Sequence, residues 1–220
     1  MQFFGSSTAA DWRRPSVIAL IAANLVPVAG VLFFGWEVFP LMFLFWSENV
    51  IVGGFNVLKM LCAGGGGAAG QASKIFLIPF FCVHYGMFTL VHGIFIMAMF
   101  GGGRGPGAGF PGPATFWRVM QENHLGWAVL GLTISRGISF ATNYIGNGEY
   151  KNVFAPVLMM QPYGRIVVLH ITIIFGGFLV MALHSPVLGL LLLVVLKTLM
   201  DLGGHLRERR KFSTAAAKLD

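Results

Sequence analysis

This 220-residue chain predicts an all-α, polytopic membrane bundle of six transmembrane helices with both termini cytoplasmic. Three observations support that expectation. Hydrophobic residues make up 56% of the chain and charged residues only 10%, with a mean hydropathy of +0.76, which excludes an ordinary soluble domain. Six apolar runs approach the ~20 residues that cross a bilayer. Lys and Arg gather on the side that this topology makes cytoplasmic.

The first run, 15–34, follows Trp12-Arg13-Arg14-Pro15 and lacks a small-residue cleavage pattern, so a retained span is expected rather than a signal peptide. Gly35-Trp36-Glu37 leaves room only for a tight hairpin into the second span, 37–60. Residues 63–73 are dominated by Gly and Ala and read as a flexible cytoplasmic linker. The third span, 75–100, is followed by the Gly/Pro-rich 101–113. Beyond it, Phe116, Trp117, Val119 and Met120 recur at helical spacing and predict a short interfacial helix over 114–123. A fourth span covers 122–145. The connection 143–160, with Asn147-Gly148 and Pro156, has the length of a functional or lid-like loop. Spans five and six, 164–184 and 186–203, meet at His184-Ser185-Pro186, and 204–220 forms a basic cytoplasmic tail. No internal repeat aligns the two halves, so 1–220 is expected to be a single transmembrane domain.

Charge supports the orientation. Arg13, Arg14, Lys59, Lys74, Lys151, Arg165 and the tail cations fall on the cytoplasmic side, against Arg104 and Arg118 outside. The net charge of +7 therefore expresses topology, and a tail contact with anionic headgroups, rather than nucleic-acid binding. Cys62 and Cys82 form no disulfide framework and read as packing residues.

The chemistry is expected where ionisable groups enter the apolar spans: Glu48, His84, Arg136, His170, Lys197 and Asp201. Each is costly at membrane depth and needs a partner, water or a metal. Lys197, Asp201 and His205 follow at four-residue spacing and share one helix face. Asp201 and His205 could thus hold one ion together with Glu48, His84 and His170, with His92 completing the site or lining its entrance. Mixed imidazole and carboxylate ligands suit zinc or iron best and admit manganese or copper. Counting depth from the span ends places His84 near the midplane, His170 and His205 in a cytoplasmic layer, and His92, His124 and His184 in an outer one. A plainly structural arrangement competes, with Glu48 paired to Arg136, Lys197 to Asp201, and the histidines bonded to backbone carbonyls. Haem is disfavoured, because a bis-histidine haem between His84 and His170 leaves Glu48 and Asp201 without a role. Gly53-Gly54 and Gly176-Gly177 are expected to allow close helix approach.

The runs Phe45-Trp46-Ser47-Glu48-Asn49-Val50-Ile51, Phe80-Phe81-Cys82-Val83-His84-Tyr85-Gly86, Val91-His92-Gly93, Pro162-Tyr163-Gly164-Arg165 through His170, and Lys197-Thr198-Leu199-Met200-Asp201 with His205 resemble an uncharacterised bacterial family of polytopic membrane proteins, a domain of unknown function. That resemblance covers nearly the whole chain and implies a bacterial inner-membrane location, without implying an activity. A weaker, mechanistic likeness is to intramembrane zinc hydrolases of the alkaline ceramidase type, which place a Ser, an Asp and three His over seven spans. The expected function is an intramembrane metal-dependent enzyme, a hydrolase or oxidoreductase, acting on a lipid-like or other apolar substrate. Glu48, Arg136 and Lys197 are its catalytic candidates, the two cations orienting an anionic group or stabilising developing negative charge. The alternatives are a proton or divalent-cation transporter or channel, and a cofactor-free structural or assembly subunit. A bundle this small is also compatible with a homo-oligomer.

Overall fold

The computed structural model describes residues 29–100, 113–183 and, of the segment 187–199, all but 189, 193 and 197; for 172, 173, 176–181 and 183 it describes the backbone alone. Most of the expected first span, the Gly/Pro-rich 101–112, and Lys197, Asp201, His205 and the basic tail lie outside the described residues. Among those described, all regular structure is helical.

Residues 29–34 are helical, and the chain reverses over 35–37 as the short Gly-Trp-Glu connection requires. Gly35 takes φ +67°, which a side chain would resist, and the Trp36 N–H donates back to the Gly30 carbonyl at 3.0 Å. Helix α1, Val38–Cys62, follows, then α2, Gly67–Phe100, and the short α3, Pro113–Glu122. Helix α4, Gly126–Ser139, widens into a π-helical turn, Phe140–Gly146. A 3₁₀ turn, Glu149–Lys151, and α5, Ala155–Met160, lead to α6, Tyr163–Leu183, and the described residues of 187–199 are again helical. Helices α1 and α2 are long and apolar enough to cross a membrane. Large apolar side chains also face outward, among them Ile75 at 81%, Val83 at 71% and Trp127 at 83% exposure. So much exposed hydrocarbon suits a lipid or protein neighbour better than water.

The helices alternate in direction. Tyr85 lies over Gly53 and Trp46 over Gly93, so α1 and α2 are antiparallel. Phe55 meets Phe140, and the Tyr144 hydroxyl donates to the Lys59 carbonyl at 2.8 Å, so α4 runs with α1. Helix α6 runs with α2, since Tyr163 meets His84 and His170 meets His92. Two apolar clusters hold the bundle. One joins Phe39, Phe43 and Trp46 to Ile96, Leu169, Leu190 and Val194; the other joins Met60, Phe81 and Tyr85 to Tyr144, Leu158 and Ile166. Along α1 the polar run Ser47-Glu48-Asn49 falls between them, and all three are buried.

Three expectations change. The Gly/Ala stretch is not a flexible linker, because α2 already begins at Gly67. Backbone bonds fasten what remains: Gly64 N–H donates to the Tyr150 carbonyl at 2.7 Å and Gly65 N–H to Val153 at 3.1 Å. A Cβ on Gly65 would stand 2.8 Å from the Val153 oxygen, so composition here serves close backbone approach rather than freedom. The 143–160 connection is likewise part of the core. Ala155 and Leu158 are buried, and Asn56 Nδ2 donates to the Leu158 carbonyl at 3.0 Å. Finally, Cys62 and Cys82 are free and exposed, not packing residues, because both fall on outward faces of their helices.

Candidate functional site

Glu48 sits on α1 with its side chain 11% exposed, and two guanidinium groups neutralise it. Arg136 Nη2 from α4 lies 2.9 Å from Oε1, and Arg165 Nη2 from α6 lies 2.8 Å from Oε2. Arg165 Nε also donates to Asn49 Oδ1 at 3.2 Å, and Asn49 Nδ2 donates to the Phe45 carbonyl at 2.9 Å. Three helices thus converge on one carboxylate. Its charge is compensated by cations, which corrects the expectation that Glu48 is a metal ligand: each of its oxygens already holds a guanidinium.

The Glu48–Arg136 pair was one of the arrangements the sequence allowed; Arg165 was missed. Its position after Pro162-Tyr163-Gly164 made it look like a topological charge at the mouth of a span. A usable signal existed in the neighbouring stripe, because Pro162, Ile166 and Leu169 recur at helical spacing and all three are buried. Arg165 lies one residue from that stripe, close enough for its long side chain to turn inward.

His84 is engaged elsewhere. Its Nδ1 is 2.8 Å from the Tyr163 hydroxyl, and its ring stacks on Phe80 with centroids 5.2 Å apart. It joins neither Glu48 nor His170, which corrects its expected place in a shared ligand set. His92, by contrast, is 2% exposed and meets His170 directly, Nε2 to Nδ1, at 3.0 Å. Its own Nδ1 donates to the Phe88 carbonyl one turn back, which leaves Nε2 as an acceptor for the proton on His170 Nδ1.

That contact overturns the inner and outer histidine layers. Depth counted from 75 in one span and from 164 in the other treats both as starting at one membrane surface, whereas the 34-residue α2, ~51 Å long, has run half its length before α6 begins. Helix α6 starts alongside the middle of α2, and its seventh residue after Tyr163 reaches level with His92.

Among the cavities beside α1, two adjoin the polar cluster and the aromatic cluster. A polar one of about 190 Å³ is lined by Lys59, Arg136, Arg165, Asn56, Ser139 and Gln161, together with apolar groups. An apolar one of about 770 Å³ lies among α1, α2 and α3, against Phe43, Trp46, Tyr85, Phe116 and Met120. Among the described residues, no three His, Cys, Asp or Glu side chains come together as a group that could hold a metal ion. Lys197, Asp201 and His205, needed for the expected site, lie outside the described residues.

No curated protein and no solved structure matches the chain. A model of a family of unknown function, DUF6498, matches residues 6–218, and the chain belongs to that family.

Proposed function

We propose that the protein is a six-span, multi-pass membrane protein with cytoplasmic termini, and that His92 and His170 nucleate a divalent-metal site of an enzyme acting on an apolar, lipid-like substrate. The observation that carries this reading is the 3.0 Å approach of His92 Nε2 to His170 Nδ1. Two nitrogens each ~2.0–2.1 Å from one tetrahedral zinc ion stand about 3.4 Å apart, so the two rings need to part by only a few tenths of an ångström to admit it. The cation would replace the single proton that the two rings now share. The bond from His92 Nδ1–H to the Phe88 carbonyl is the outer support that metal-bound histidines need, since it fixes ring orientation and tautomer. Burial of His92 gives the site a water-poor side, while His170 is exposed and leaves the other side open to a ligand.

Asp201 and His205 are the sequence candidates to complete the coordination, and Lys197 to stabilise developing charge. A divalent ion there would supply Lewis-acid or water-activating chemistry. The apolar cavity between α1, α2 and α3 gives room for a substrate chain.

Elemental analysis of detergent-purified protein tests the reading. Near-stoichiometric zinc, iron, manganese or copper is expected in the wild type, and His170→Ala, at an exposed position, should bring it to background. His84→Ala should leave metal content unchanged, because His84 is bonded to Tyr163. Wild-type protein that folds but carries no metal would sink the proposal and leave a proton-sharing histidine pair.

A further inference from the structure

We infer that the polar cavity between α1, α4 and the start of α6 is a binding site for a phosphate group, presented by a lipid headgroup or as a free anion. This goes beyond the histidine pair and does not depend on a metal there. Lys59, Arg136 and Arg165 all line the cavity, and Glu48 is the carboxylate that pairs with both arginines. Among the described residues, three positive groups against one negative leave +2. No ion pair among the described residues involves Lys59, whose ammonium lies over the Tyr144 ring at 5.3 Å from its centroid. A net positive cavity within an apolar bundle is costly unless an anion enters it.

The hydrogen-bonding capacity points the same way. Each guanidinium carries five N–H donors. Arg136 commits Nη2 to Glu48, and Arg165 commits Nη2 to Glu48 and Nε to Asn49. Among the described residues, Nη1 of both arginines and the Lys59 ammonium therefore retain donors for a ligand. Ser139, Gln161 and Asn56 add neutral polar groups to the same lining. Glu48 serves as a strut between the two guanidiniums, and Asn49 fixes Arg165 from the next position on α1. Planar guanidiniums with free edges suit phosphate oxygens.

Size and position define the ligand class. At about 190 Å³ the cavity is smaller than the ~300–1,000 Å³ typical of sites that engulf a whole organic ligand, so it admits a headgroup rather than a complete lipid. Lys59 lies in the last turn of α1 and Arg165 in the first turn of α6. The cavity therefore runs from the level at which α6 begins, midway along α2, toward the C-terminal end of α1, the end from which a headgroup would enter if these helices span a bilayer.

Dihexanoyl phosphatidic acid and inorganic phosphate, titrated separately onto detergent-purified full-length protein, test the site by calorimetry and thermal shift. Saturable binding is expected to raise the wild-type midpoint in a dose-dependent way. Lys59→Gln, which leaves both Glu48 pairs intact, should weaken binding by about tenfold or more, the effect of losing one charge-assisted hydrogen bond. Lys59→Arg keeps the charge and should retain binding. Saturation by the lipid alone identifies a headgroup site, and equal saturation by inorganic phosphate identifies a free-anion site. The inference is overturned if neither ligand shifts the wild type, or if Lys59→Gln binds as tightly as the wild type.

Discussion

Replacing Glu48 with alanine is expected to lower stability in detergent by about 3 kcal/mol, the lower end of the cost of breaking a buried ion pair. The low end applies because the two cations are not equally sheltered: the Arg165 side chain is 22% exposed and Arg136 43%. Removing the carboxylate leaves two guanidiniums without a counter-ion among the described residues, with the Asn49 amide on Arg165 and water left to solvate them. Arg136→Ala should cost less, about 1 kcal/mol, because Glu48 retains Arg165 and Arg136 is the more exposed partner. Denaturant unfolding of the two single variants and the double variant gives the coupling between Glu48 and Arg136, the double variant being expected to cost at least ~0.5 kcal/mol less than the sum of the two singles. A wild-type unfolding midpoint for Glu48→Ala would contradict the strut role. Metal content should be unaffected by this change, whereas a ligand role for Glu48 requires it to fall.

The second large effect concerns helix approach. Gly93→Ala would place a Cβ 2.7 Å from the Trp46 ring, which cannot easily swing away. Trp46 Nε1–H donates to the Thr89 carbonyl at 2.6 Å, and its ring stacks on Phe116 with centroids 4.9 Å apart. The helices must separate or the ring must leave its bond, so a loss of about 1–3 kcal/mol is expected. Gly53→Ala should behave similarly, because Tyr85 covers it and the Tyr85 hydroxyl is held by the Asn49 carbonyl at 2.9 Å. Gly54→Ala and Gly86→Ala meet nothing within 4 Å and should be neutral or slightly stabilising, since alanine favours the helix. Equal unfolding midpoints across these four variants would remove the packing argument.

The Gly53-Gly54 pair also shows the limit of reading a sequence. Small residues suggested close approach, and Gly53 provides it, but its neighbour points into open space. Helical rotation of ~100° per residue decides which of two adjacent glycines faces a partner. The same limit applied to the ionisable groups. Glu48, Arg136, His92 and His170 were recognisable because charge and imidazole are rare and costly in apolar runs. Glu48 with Arg136 was one of the arrangements they allowed, but the contact of His92 with His170 was not legible, because pairing depends on how far one helix slides along another. Arg165 was assigned to the membrane surface by its place in the chain, while tertiary packing turned it toward Glu48.

Composition, apolar run length, the short Gly-Trp-Glu connection and helical periodicity specified an all-helical chain, the bounds of α1 and α6 to within a few residues, the tight turn at 35–37, and the short helix before α4. These properties follow from local backbone hydrogen bonding and from the length of apolar segments, which each segment carries by itself. Only the folded arrangement set the axial offset of α2 against α6, brought His92 to His170 rather than His84, and gathered Lys59, Arg136 and Arg165 around one cavity. Helix register is fixed by side chains interlocking between distant segments, and a sequence read one span at a time contains no measure of that offset.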